Sequence, residues 1–521
     1  MKKSTFLLFL FLLVNQLRAQ NTVTPLSDAY MDSLVHASMR TFDIPGIAVG
    51  IIKDGKVILA KGYGVRSLKS GKAMDENTLF GIASNSKAFT TTALGILIDE
   101  GKLKWDDKVR EYIPEFKLYS PFVTEEFTIK DLITHRSGLG LGAGDLMFWP
   151  DSNNFQLKEI IYNLRYLKPV SSFRTQYDYD NLLYMVAGEI VHRVSGMEWE
   201  EFIQKRILNP LGMNKTAPYY ALLSDKSDVI DGHAKFDGKV QVIPRNFGTN
   251  MKAAGGIYSN ITDLSKWVLM HLNEGVYGAD HKILISKRNH DEIWSPQTII
   301  PVHNPGPYHT HFASYGLGFF ISDVNGYKEL THTGGLEGMV TEITMIPELK
   351  LGIIVLTNQE VGLAFRSITN QIKDHYLGIA GTHRVEDYGK IYNGRKDNFE
   401  KEVKKVWAKS DSVASLKGDP LKKYLGIYSD PWMGDLSIHL ENGQYRVDFK
   451  RSLKLSGSLF PYTGNAALVK WDRHNLDADA YMIFNLDENG KAVSISMRPI
   501  SEETDFSYDF QDLNFKSSLK N

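Results

Sequence analysis

The placement of β-patterned sequence at both ends of a long helical stretch limits the fold more than any other feature of this chain. Near the start, IPGIAVGIIKDGKVILAKGYGV (residues 44–65) holds two β-rich runs around Asp54-Gly55. Both residues tolerate the positive φ that a two-residue hairpin turn demands, so the segment predicts an antiparallel hairpin. From Tyr315 strand character returns: YGLGFFISDVNGYKELTHTGGLEGMVTEITMIPELKLGIIVLTN is a series of strands punctuated by Asn325-Gly326 and Pro347, the pattern of an antiparallel meander. Between them lie helical segments. These are residues 81–100, TIKDLITHRSGL (128–139) with Thr128 and Asp131 spaced as a capping box, and NLLYMVAGEIVHRVSG (181–196), ending near Gly196. A helical middle bracketed by strands predicts an α+β domain. Its first and last strands share one antiparallel sheet, flanked by helices and carrying a helical subdomain.

At 521 residues the chain exceeds one ordinary core. Residues 382–418 turn polar and charged and read as a connector with some helix. Beyond them YLGIYSD, GDLSIHLENGQYRVDF, AALVKWDR, AYMIFNLDENGKAVSISM and DFSYDFQDLNF are short strands separated by turn residues, spaced as in a small all-β barrel or sandwich. At the N-terminus Lys2 and Lys3 precede an apolar run over residues 6–14 and the small-residue signal Leu17-Arg18-Ala19. This predicts a signal peptide over residues 1–19, cleaved after Ala19, and an exported protein, periplasmic or extracellular. The run is too short to span a bilayer, so no membrane span is expected. The expected divisions are therefore 1–19, 20–381 for the α+β domain, 382–418 for the linker and 419–521 for the barrel. The chain has no cysteine, which removes thiolate nucleophiles, Cys-ligated zinc and iron–sulfur clusters. A net charge of −1 argues against a nucleic-acid partner.

Covalent chemistry then needs another side chain, and GIASNSK (81–87) offers Ser84 and Lys87. At the start of a helix, positions i and i+3 share a face, so hydroxyl and amine come within hydrogen-bond reach. Burial or a neighbouring cation would lower the lysine pKa enough for it to act as a base. The same four-letter pattern recurs at Ser517 to Lys520 in the polar end of the chain, where it carries no such context. A second element, Tyr179-Asp180-Asn181, supplies a phenol that can relay a proton and an amide that can orient a carbonyl. Its look-alike, Tyr258-Ser259-Asn260, leads into Thr262-Asp263-Leu264 and reads as turn structure. The third is HTGG, His332, Thr333, Gly334 and Gly335, at a strand end where glycines admit a ligand's backbone and a substrate could join the edge. His309 and His311 alternate on a strand face but lack a third ligand, so no metal site is assigned. His135 is read as structural, bonding a turn after its helix.

The order Ser-x-x-Lys, Tyr-x-Asn, basic residue-Thr-Gly resembles the serine β-lactamase and penicillin-binding-protein superfamily. The closest resemblance is to its class C β-lactamase-like branch, which includes D-aminopeptidases, D,D-carboxypeptidases and esterases. TIKDLITHRSGL, NPLGMNKT, AAGGIYSNITDLSKW and SYGLGF match the branch as well, over roughly residues 28–376, and the C-terminal segment resembles the lipocalin-like barrel attached to some of its peptidases. The resemblance implies that Ser84 becomes acylated, Lys87 accepts its proton and Tyr179 exchanges protons with the leaving group or water. It further implies that Asn181, His332, Thr333 and Gly334 bind substrate, and that the N–H groups of Ser84 and Gly335 hold the oxyanion. Losing one such donor typically costs about 3 kcal/mol of transition-state stabilisation. It implies no cofactor. The β-lactam-processing members carry lysine where this chain has His332, and histidine, with a pKa of about 6.5, grips a carboxylate less well. The expectation is an exported serine hydrolase acting on a small peptide, amide or ester, a peptidase or esterase more than a β-lactamase. The alternative is a weakly catalytic sensor acylated by peptidoglycan fragments or β-lactams with little turnover. Sequence leaves open whether the chain forms a homo-oligomer.

Overall fold

The computed structural model describes residues 24–151, 153–245, 250–415 and 418–518; the signal peptide expected over residues 1–19 lies outside them. One antiparallel sheet organises the first 380 residues. Its strands are β1 (Gly46–Lys53), β2 (Lys56–Gly64), β3 (Thr298–Ile300), β4 (Ala313–Tyr315), β5 (Phe320–Val324), β6 (Tyr327–Leu336), β7 (Met339–Ile346) and β8 (Leu351–Thr357). They lie in the order β2-β1-β8-β7-β6-β5-β4-β3. The first hairpin turns at Asp54 and Gly55, with φ of 50° and 77°. β1 then pairs with β8 from Ile47 opposite Thr357 to Lys53 opposite Leu351, so the two ends of the domain do share the sheet.

β1 and β8 read as nearly continuous apolar runs because both faces of the sheet are covered. On one face Ile47, Val49 and Ile51 pack with helices α1 (Asp28–Phe42) and α4 (Gly362–Tyr376). On the other, Ala48 and Ile52 face the helix Ile261–Leu272, in one buried cluster with α2 (Ser86–Asp99) and α3 (Leu182–Ser195). Burying each of these Ile and Val side chains contributes about 2 kcal/mol. No helix among the described residues is long and apolar enough to cross a membrane.

The charged stretch after residue 382 is a single 31-residue helix, α5 (Arg384–Ala414), burying only Val385, Gly389 and Ser410. Gly389 sits where a Cβ would come 2.7 Å from the Thr41 methyl of α1. At its far end Trp407 meets Phe460 edge to face at 5.4 Å, and Ser410 Oγ donates to Pro461 O at 2.8 Å. There an eight-stranded closed barrel begins, from β9 (Gly426–Asp430) to β16 (Phe515–Ser517). It closes by pairing Tyr428 with Ser517, so Ser517 belongs to a strand rather than to a free polar end. Tyr424 stacked on Phe484 at 3.6 Å, with Trp471, Phe449 and Phe515, fills its buried core. The barrel docks on the α+β domain through the Lys454–Glu337 ion pair at 3.0 Å, Arg451–Glu159 at 3.1 Å and Asn163 Nδ2 donating to Trp432 O at 2.9 Å.

Candidate active site

The strand Phe80–Gly81 leads into a tight 3-10 turn, Ala83–Asn85, before α2 begins at Ser86. Ser84 therefore precedes the helix by a turn and does not cap it: the cap position is Asn85, with no side-chain bond. Ala83 has a φ of 49°, a left-handed conformation that costs a residue with a Cβ about 1–2 kcal/mol. Neighbours hold the turn in place: Ile82 N donates to Ile257 O at 2.8 Å, Thr341 Oγ1 to Ile82 O at 3.1 Å, and Asn85 Nδ2 to Thr341 Oγ1 at 2.9 Å. Gly334 of β6 crosses directly against it, where a Cβ would stand 2.3 Å from Ile82 O.

Lys87 is completely buried. Its Nζ lies 3.1 Å from Ser84 Oγ, 2.7 Å from Asn181 Oδ1 and 3.0 Å from Ala254 O. Burial pulls its pKa down to about 7, against the opposing charges of Asp145 and Asp180. A large share of free amine is therefore present near neutrality.

Tyr179, Asp180 and Asn181 lead into α3, where Asp180 Oδ1 accepts from Leu183 N at 3.3 Å. His135 does more than bond its own turn. Its Nδ1 accepts from Asp180 N at 3.0 Å and its ring lies 4.2 Å from that of Tyr179, so it clamps the loop that carries the phenol. Burial pushes the Tyr179 hydroxyl well above its ordinary pKa, with Ser84 opposing. It stays a protonated donor at neutral pH.

His332 is 2% exposed. One ring nitrogen, Nδ1, lies 2.6 Å from Thr333 O and the other 3.0 Å from the Tyr315 hydroxyl. A carbonyl oxygen only accepts, so Nδ1 carries the proton and Nε2 accepts from Tyr315. Burial and then Lys87 lower its pKa to about 3, leaving it neutral.

β5 pairs with β6 only as far as Thr331, whereas β7 follows β6 to Leu336. Residues 332–336 thus have one edge without a strand partner among the described residues, facing a cleft of about 290 Å³. The cleft brings together Ser84, Tyr179, Asn181, His332, Thr333 and Gly335, with Phe148, Trp149, Phe320 and Phe506 as aromatic walls. Gly334 stands behind this wall, against Ile82. The second Tyr-x-Asn serves the same turn structurally: Tyr258 and Ser259 pair with Phe80–Gly81, and Asn260 caps Ile261–Leu272 by accepting from Asp263 N at 2.9 Å. His309, at a φ of 52°, closes the turn Gly306–Tyr308, and His311 N donates to Asp323 Oδ1 at 2.9 Å.

Sequence reasoning missed Asp145 and the barrel residues Phe506 and Ser507. Asp145 had one available signal, a carboxyl within the apolar run GLGAGDLMFW. Phe506 and Ser507 had none, because their part depends on how the barrel docks.

Residues 31–376 match the family described as Beta-lactamase, and residues 410–517 match one described as a domain of unknown function, DUF3471. The chain is 28% identical over 460 residues to the unguisins hydrolase ungD of Aspergillus violaceofuscus, covering 83% of this chain and 80% of that protein. It is 27% identical over 380 residues to protein flp of Staphylococcus aureus (strain MW2), covering 72% and 70%. The octameric penicillin-binding protein homologue from Pyrococcus abyssi shares the fold, with a TM-score of 0.61 at 24% identity over 92% of this chain and 99% of that one.

Proposed function

The chain belongs to the beta-lactamase family of serine hydrolases, and from that premise we propose that it cleaves an amide or ester through an acyl-enzyme on Ser84. The observation that carries this reading is the buried Lys87 amine, 3.1 Å from the Ser84 hydroxyl and titrating near neutrality. Ser84 Oγ bonds to the carbonyl carbon as its proton passes to Lys87. The oxyanion forms between the N–H groups of Ser84 and Gly335. The C–N or C–O bond then breaks and the leaving group takes a proton from Tyr179. Water attacks the resulting ester, returns a proton to the centre and releases the acid. Asn181, fixed by Lys87 and Asp145, offers its remaining amide proton to the acyl-side carbonyl, while Thr333 and Gly335 pair with substrate laid along the open edge of β6.

His332 is neutral and both its nitrogens are engaged, which favours a neutral peptide or ester over a β-lactam carboxylate. That one relative is named a hydrolase is consistent with turnover. We take residues 20–381 as the hydrolase unit and 419–521 as the barrel, joined by 382–418. Export by the leader over residues 1–19 is tested by mass spectrometry of the mature N-terminus from the native host.

The activity is tested with a fluorophosphonate, a panel of p-nitrophenyl esters, D- and L-amino-acid amides, and nitrocefin. Turnover of esters or amides that disappears in Ser84→Ala is the expected result. Labelling that stops after one equivalent without turnover would make the protein a sensor, and activity surviving in Ser84→Ala would overturn the assignment.

A further inference from the structure

One chain of hydrogen bonds reaches the acylation centre from the barrel, and its barrel end, Ser507, has no part in the proposed reaction. Asp145 is fully buried. Its Oδ2 accepts from Asn181 Nδ2 at 2.7 Å and from Ser507 Oγ at 2.9 Å, while Oδ1 has no partner among the described residues. Asn181 Oδ1 in turn accepts from Lys87 Nζ at 2.7 Å. The segment carrying Asp145 is also wedged between the barrel and Tyr179. Gly144 N donates to Asp509 Oδ2 at 2.5 Å and Gly142 N to Tyr179 O at 2.8 Å. A Cβ on Gly142 would lie 2.8 Å from Phe506 O.

We propose that Ser507 of the C-terminal barrel is a positioning residue of the acylation centre, acting through Asp145 to hold the Asn181 amide and the Lys87 amine in line with Ser84. The inference rests on Ser84 being the nucleophile. An amide has one donor end and one acceptor end, and Asn181 must turn its NH₂ to Asp145 for its oxygen to face Lys87. Asp145 keeps it so while Oδ2 is an acceptor. Burial favours the protonated acid, and the donors that oppose this are Asn181 and Ser507. The other charged groups acting on it are Lys87, which favours the carboxylate, and Asp180 and, across the junction, Asp509, which disfavour it. Loss of Ser507 removes one of the two donors that oppose protonation of Asp145, and an Asp145 O–H that donates to Asn181 turns the amide's NH₂ toward Lys87. The amine then loses an acceptor and the carboxylate charge that raises its pKa.

The test is kcat and KM against pH, on whichever ester the wild-type protein turns over, for the full chain and for Ser507→Ala, Ser507→Thr and Asp145→Asn. Ser507→Ala should lower kcat about tenfold, and should move the ascending limb of the profile to lower pH. Ser507→Thr, which keeps the hydroxyl, should restore both. Asp145→Asn should move the limb in the same direction, and this result stands even if Ser507→Ala does not fold. An unmoved limb in Asp145→Asn, or equal losses in the Ala and Thr variants, would overturn the proposal. Activity persisting in Ser84→Ala would instead overturn the reading beneath it, a different result.

Discussion

At Gly334 the backbone of β6 rests on the carbonyl of Ile82, one residue before the strained Ala83 and two before Ser84. Gly334→Ala places a methyl 2.3 Å from that oxygen, and either β6 or the Ser84 turn must move. A shift of about 1 Å at a reacting atom lowers the rate on the order of a hundredfold. Ester hydrolysis by Gly334→Ala should show that fall in kcat with a near-native circular dichroism spectrum. Unchanged kcat would mean that the turn is not held by this contact. The HTGG run was legible as a place where backbones approach closely. Which backbone approaches was not, since that depends on the turn brought against β6 from 250 residues earlier. His332 shows the same limit. Its residue type suggests a weaker cation, but burial and then the neighbouring Lys87, against the hydrogen bond to Thr333 O, make it no cation at all.

Among the elements, those with strong local chemistry were readable. Asp54-Gly55 and Asn325-Gly326 announced their hairpins, and Thr128 and Asp131 form the capping box of the short helix Ile129–Leu132. From sequence α5 reads only as a connector with some helix, because its largely solvated surface leaves little apolar periodicity to recognise. Asp131 also has a role that spacing did not reveal: fully buried, it binds Arg136 at 3.0 Å and Arg174 at 2.5 Å. It thereby ties the segment after its helix to the one leading to Tyr179. Burial alone would raise its pKa, but the hydrogen bonds from Arg174 and Thr128 outweigh it and hold the group below its ordinary value. A depressed folded-state pKa gives stability that is present above the unfolded carboxylate pKa of about 3.9 and is lost as pH falls through the folded value. Urea unfolding should show wild-type stability declining below about pH 4, with part of that decline absent in Asp131→Asn. Asp131→Ala should cost about 3 kcal/mol at pH 7. A loss under 1 kcal/mol would show the arginines to be solvated surface groups.

For the molecule as a whole, barrel and hydrolase are bound as one body. Buried apolar side chains run from Trp149 to Tyr508, ring centroids 6.4 Å apart, into the barrel core. The Lys454–Glu337 pair is nearly enclosed at the junction. Calorimetry should therefore give one cooperative transition, and two separated peaks would refute the coupling. This joint was the least legible part of the chain, because Ser507 meets Asp145 across 362 positions and no local pattern records such a contact. Everything about the centre depends on Lys87 being a free amine in a dry site beside Ser84. The direct measurement is the rate of fluorophosphonate labelling at Ser84, located by peptide mass spectrometry, between pH 5 and 9. A base of this kind predicts a rate that climbs through an apparent pKa of about 7 and collapses in Lys87→Ala. A flat rate, or one still climbing toward the ordinary lysine value of about 10.4, would contradict it.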